Sequence, residues 1–113
     1  MEWFKGKVND KTPYRGWLIG SFIGVDSGPA HTDAVEVKYG VHKAGEKRIR
    51  WTDSETRTTL LIIVSGKFKL NLTVGTDILE AGEYVVWGPG IEHTWEVIED
   101  TIAITVRWPS KAE

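Results

Sequence analysis

The stretch Gly82-Glu83-Tyr84-Val85-Val86-Trp87-Gly88-Pro89-Gly90-Ile91-Glu92-His93 decides how this chain folds. A glycine opens a short aromatic and β-branched run, Tyr84–Trp87, which reads as a strand. Gly88-Pro89-Gly90 then turns the chain sharply, because proline presets one dihedral and glycine supplies conformations closed to other residues. The next strand starts at His93. Along it His93, Trp95 and Val97 share a face, which sets the imidazole beside an indole ring.

Outward from this stretch the same texture continues. No helical periodicity persists, and β-branched and aromatic runs are cut at short intervals by Gly, Asp and Asn. Strands are expected at residues 16–23, 34–41, 48–52, 58–65, 67–74, 77–80, 84–87, 94–98 and 102–108. The spacing is that of a sandwich or barrel. Phe68, Leu70, Leu72 and Val74 form one apolar face, and Ile102, Ile104, Val106 and Trp108 form another, opposed to Thr101, Ala103, Thr105 and Arg107. Val35, Val37, Tyr39 and Val41 read as the dry side of an earlier strand, leaving His42 with Glu36 and Lys38 toward solvent. Leu60-Leu61-Ile62-Ile63-Val64 is apolar on both sides, so its second face needs an extra strand or a partner molecule. A homodimer is therefore expected.

The chain has 113 residues, which fits a single domain over residues 1–113, with 1–14 a polar, loosely ordered N-terminal segment. It has no cysteine, which removes disulfides and thiolate ligands. With 14 basic and 16 acidic residues and a formal charge of −2, it lacks the basic excess of a nucleic-acid binder. No signal-like h-region or membrane-length apolar run stands out, and a soluble, cytoplasmic protein is expected. Lys43, Lys47, Arg48, Arg50 and Arg57 cluster mid-chain, while Asp77, Glu80, Glu83, Glu92, Glu96, Glu99 and Asp100 follow. Opposite charges paired across neighbouring strands account for that distribution, and so does a self-complementary dimer contact.

Two segments resemble the paired motifs of the cupin superfamily, G-x5-H-x-H-x3,4-E-x6-G and G-x5-P-x-G-x2-H-x3-N. In the second, Gly82, Gly90 and His93 fall at the family spacing, with Gly88-Pro89 where the family has Pro and one free position, and Val97 at the Asn position. In the first, Gly45 and Gly66 match, and Ser65-Gly66-Lys67 is expected to be a tight turn between two strands. The family's histidine positions fall on Trp51 and Asp53, and its glutamate position on Thr59. The resemblance spans residues 35–108, and the tail is similar to that of small single-domain bacterial cupins. It implies an all-β, cupin-type double-stranded β-helix (jelly-roll) barrel whose metal-binding half is degenerate.

The candidate pocket comprises Trp51, Asp53, Thr59, Trp87, His93 and Trp95. Its rings fit a sugar or a planar acyl or aromatic group, or else they plug the barrel. Trp17 and Trp108 read as core or dimer contacts, and His31 as a surface residue. No cofactor is expected. A divalent metal is the alternative, held by His93 with Asp53, Glu55 or His42 in a metal-dependent oxygenase or sugar isomerase. There is no G-x-S-x-G elbow and no glycine-rich loop leading into a helix. The leading expectation is a small-molecule-binding protein without dedicated catalysis.

Overall fold

The computed structural model describes residues 3–51 and 56–111, so Asp53 and Glu55 lie outside the described residues. Among the described residues the strands are β1 (Trp17–Ile19), β2 (Glu36–His42), β3 (Lys47–Arg48), β4 (Thr58–Leu72), β5 (Gly75–Glu80), β6 (Tyr84–Trp87) and β7 (His93–Trp108). They form one sheet in the order β1-β2-β7-β4-β5, with β3 also paired to β7 and β6 to β4. All of these strand pairings are antiparallel.

The backbone of the fold is the pairing of β4 with β7 along their whole lengths, from Thr58 opposite Trp108 to Leu72 opposite His93. Four strands expected from the sequence are therefore two long ones. Ser65-Gly66-Lys67 is not a hairpin turn: the chain runs on through it as a bend, with the register irregular between Ile63 and Phe68. Gly66 sits at φ 95°, where a Cβ would collide with the Asp100 carbonyl oxygen and lie 2.6 Å from Thr101 Oγ1. Only glycine lets β4 press so closely on β7 while bending. The bend divides the sheet in two. One half joins β2 and β6 to the outer ends of β7 and β4, and the other joins β3 and β5 to their remaining ends. The halves face each other across a core of Leu61, Ile63 and Ala103 against Phe68, Leu70 and Val97, with Leu79 and Trp87.

Two faces are oriented opposite to expectation. On β2 the inward residue is Glu36, at 1% exposure, and Val41 is 63% exposed. On the second half of β7, Thr101 and Ala103 are buried while Trp108 is 41% exposed. On the inner side of these strands Lys38, Thr105 and Arg107 line a cavity beside the apolar core, and Glu36 sits behind Arg107, so charged and small side chains point in. Alternation shows that two faces differ, but not which one is inside. The outer face of this half-sheet carries Val37, Tyr39 and Val41 opposite Val106, Ile104 and Ile102, and then Leu60 and Ile62 opposite Val86 and Tyr84.

Ahead of the sheet, Val8–Tyr14 forms a 3-10 segment. Its Lys11 is buried, with the ammonium 5.1 Å from the Phe4 ring centre and 5.5 Å from that of Tyr14. The chain then turns through Arg15 and Gly16, both at positive φ (54° and 90°), into β1. Of the mid-chain cations, Lys47 opposes Glu96 and Lys43 lies 3.8 Å from Asp100, whereas Arg48 opposes Trp95 and Arg57 pairs with Glu36; outside that cluster, Lys67 lies 3.4 Å from Glu80 and 3.6 Å from Glu99.

Candidate functional site

The two half-sheets do not close completely. A cavity of about 390 Å³ remains between them, walled by side chains of β1, β2, β3, β4, β6 and β7. One wall is aromatic. Trp95 stacks on Phe68 with ring centres 5.5 Å apart, His42 meets the Trp95 ring at 5.1 Å, and His93 leans on Trp87 at 5.2 Å. Alternation places these groups: His93, Trp95 and Val97 point the same way along β7, and Phe68 and Leu70 do so along β4.

The lining is also cationic: Arg15, Lys38, Arg48 and Arg107 contribute to it, Arg48 directly beside Trp95 across β3 and β7. Arg107 is the most firmly held. Its guanidinium pairs with the buried Glu36 carboxylate and stacks 4.8 Å from the Trp17 ring centre. Glu36 is held in turn by Arg57 Nη1 at 3.0 Å and by the Ser110 hydroxyl, which donates at 3.0 Å and accepts the Ser21 N–H at 2.8 Å. A buried carboxylate survives only with such partners, and here it fixes the orientation of an arginine that lines the cavity. Lys38 lies 5.7 Å from the Trp17 ring centre.

The ionisable groups respond to this environment. Burial lowers the Lys38 ammonium below its ordinary value, and Arg15 and Arg107 lower it further. Burial also lowers His93, to about 4, with Arg48 and Arg107 adding to the effect, so the ring is neutral at pH 7. His42 is lowered by burial and then by Lys38, against the opposing pull of Glu46, whose Oε1 lies 3.4 Å from Nδ1.

Of the residues singled out from sequence, Trp87, His93 and Trp95 line the cavity. Thr59 is buried opposite Trp87 but is not a lining residue, and Trp51 is 45% exposed and outside the lining. Asp53 and Glu55 fall outside the described residues. His42, expected toward solvent, points inward. Even-numbered positions of β2 face the interior, and His42 follows Glu36, Lys38 and Gly40 on that side. Sequence reasoning missed Trp17 and the four cations. The usable signal was small residues: Gly40 opposes Ala103 across β2 and β7, and such a pair marks the side where another layer approaches.

Among the described residues, no three His, Cys, Asp or Glu side chains stand together as metal ligands would. The imidazoles at the cavity share it with four cations, which repel a divalent ion. The described residues therefore do not fit a three-histidine-plus-carboxylate metal centre.

An antiparallel sheet folded on itself around a cavity, with glycines at its bends and an inward histidine after a Gly-Pro-Gly turn, has the cupin fold. Solved structures agree. A cupin protein from Bacteroides fragilis is similar over 71% of this chain and 70% of its own, with a TM-score of 0.61 at 15% identity. KdgF from Halomonas sp. is similar over 74% and 77%, with a TM-score of 0.65 at 20% identity. An RmlC-like cupin from Shewanella frigidimarina is similar over 71% and 80%, at 0.55 and 15%. No family model and no curated protein sequence matches the chain. Among the described residues, no helix is long and apolar enough to cross a membrane.

Proposed function

We propose that this protein binds a small molecule in the cavity between its half-sheets and performs no dedicated catalysis there. One observation carries the reading: the interior is open by about 390 Å³, within the range of ligand pockets, where a plugged barrel would leave only gaps too small for a ligand. The lining supports it, combining stacking surfaces with a few fixed polar groups. Nothing in the lining supports a nucleophile paired with a base. Titration of the purified protein with a broad panel of small polar metabolites, followed by tryptophan fluorescence, tests the proposal. A saturable change that Trp95→Ala weakens at least tenfold is the expected result. Saturable binding that Trp95→Ala and Trp87→Phe both leave unchanged would move the site elsewhere and defeat the reading.

The working unit proposed with this reading is a homodimer, formed through the outer face of β2, β7, β4 and β6. None of Val37, Tyr39, Leu60, Ile62, Ile104 and Val106 on that face is fully buried, and Val41, Tyr84 and Val86 are at least half exposed. Antiparallel strands facing water are normally polar on that side. Four strands about 4.8 Å apart, each contributing roughly 17 Å, span about 300 Å² in projection, comparable to the largest apolar patch of a typical monomer, which is often functional. No charge interrupts this run of side chains, so two copies set face to face bring no like charges together.

A further inference from the structure

We infer that the ligand is a small organic anion, a carboxylate or phosphate carried on a flat or ring-shaped body; this rests on the reading of the cavity as a ligand site. Two features of the lining converge on negative charge. Arg15, Lys38, Arg48 and Arg107 are contributed by the turn before β1 and by β2, β3 and β7, so the cations are collected from four places in the chain. Among the described residues that line the cavity no carboxylate appears; Glu36 sits behind Arg107, engaged with it, Arg57 and Ser110. Arg15 comes from the turn that closes the 3-10 segment, where it holds φ 54° and the Gly16 N–H donates to the Lys11 carbonyl.

Like charges gathered in a partly dry space repel one another; Lys38 loses affinity for its proton through burial first, and Arg15 and Arg107 add to the loss against the opposing pull of Glu46. An anion relieves that repulsion. Arg107 is suited to receive one, because its Glu36 clamp and the Trp17 ring hold the guanidinium rigid before the ligand arrives. Charge-assisted bonds from a preset guanidinium are stronger and more directional than those of a free side chain. The rings of Trp95, Phe68 and Trp87 take the body of the ligand, and the neutral imidazoles of His42 and His93 can accept or donate to its hydroxyls. The cavity thus sorts ligands by charge, through its cations, and by shape, through its rings.

Pairs of like shape, one member charged and one neutral, test this: benzoate against benzamide and glucuronate against glucose, with inorganic phosphate as the arm that separates phosphate from carboxylate recognition. Calorimetry and thermal denaturation are the readouts, on the whole chain. At least one acid is expected to bind tenfold or more tighter than its neutral partner and to weaken as salt rises. Lys38→Met removes a crowded cation while keeping an unbranched chain only one atom shorter, so it should weaken acid binding several-fold and raise the unfolding temperature at once. Arg48→Gln, at an exposed position, should weaken the acids and leave the fold unaffected. Equal binding of acid and neutral partner, or acid binding indifferent to both substitutions, would overturn the charge assignment while leaving the cavity a ligand site. Silence from every anion also overturns the assignment, and silence from the metabolite panel besides removes the ligand reading itself.

Discussion

A carboxylate at 1% exposure persists only where cations and hydroxyls enclose it, and Glu36 has Arg57, Arg107 and Ser110 around it. Glu36→Gln leaves two arginines without their counter-charge and should cost about 3 kcal/mol by chemical denaturation; a loss under about 1 kcal/mol would show that the clamp is not needed. His93 carries the pH dependence at this scale. Its folded value of about 4 lies below the ordinary 6.5, so between those values the unfolded chain binds the extra proton and the folded one does not. Stability from this group is full above about pH 6.5 and is lost as pH falls toward 4. The shift corresponds to about 3 kcal/mol at most, reduced because water reaches part of the ring. His42, lowered in the same direction, adds to the slope. His93→Gln should flatten denaturation midpoints between pH 6.5 and 4, and an unchanged slope would place the sensitivity elsewhere.

The bend in β4 is where elements become an architecture. At Gly66 an added methyl meets both an unfavourable φ and the backbone of β7, whereas at Gly82, φ 87°, it meets open space. Gly66→Ala should therefore cost clearly more than Gly82→Ala, about 3 against about 1 kcal/mol, measured as unfolding free energies; equal costs would mean the strands are not pressed together there. These glycines, and the Gly-Pro-Gly turn before His93, were legible because steric rules tie glycine and proline to particular conformations. So was the all-β class, since alternation and β-branched runs are local. The faces of β2 and of the second half of β7 were not legible: Glu36, Lys38 and Arg107 read as solvated, and their burial depends on partners far away in sequence, Arg57 and Ser110 among them. The same holds for the cavity. Trp87, His93 and Trp95 stand out in a single stretch, while Arg15, Trp17, Lys38 and Arg48 reach the cavity only through pairing of β1, β2 and β3 with distant partners. Continuous strands cut by one glycine also look like two strands, which is how the bend was read as a hairpin.

At the scale of the whole molecule, an inside-out pattern links binding to assembly: charge faces the cavity, and a sheet of Val, Ile, Leu and Tyr faces outward. A dimer through that face predicts twice the chain mass in light scattering at micromolar concentration, and Val86→Glu should return the protein to a monomer with its fold intact. A wild-type monomer under those conditions would leave the apolar face unexplained by self-association. The claim on which all of this rests is that the space between the half-sheets is open. Thr105 lines that space, half buried on β7, and replacing it with phenylalanine puts a ring where the cavity stands. Thermal and chemical denaturation of Thr105→Phe measures the room directly: an open cavity accepts the ring with a change below about 1 kcal/mol, whereas a filled interior is overpacked and loses about 1–3 kcal/mol, which would contradict the account.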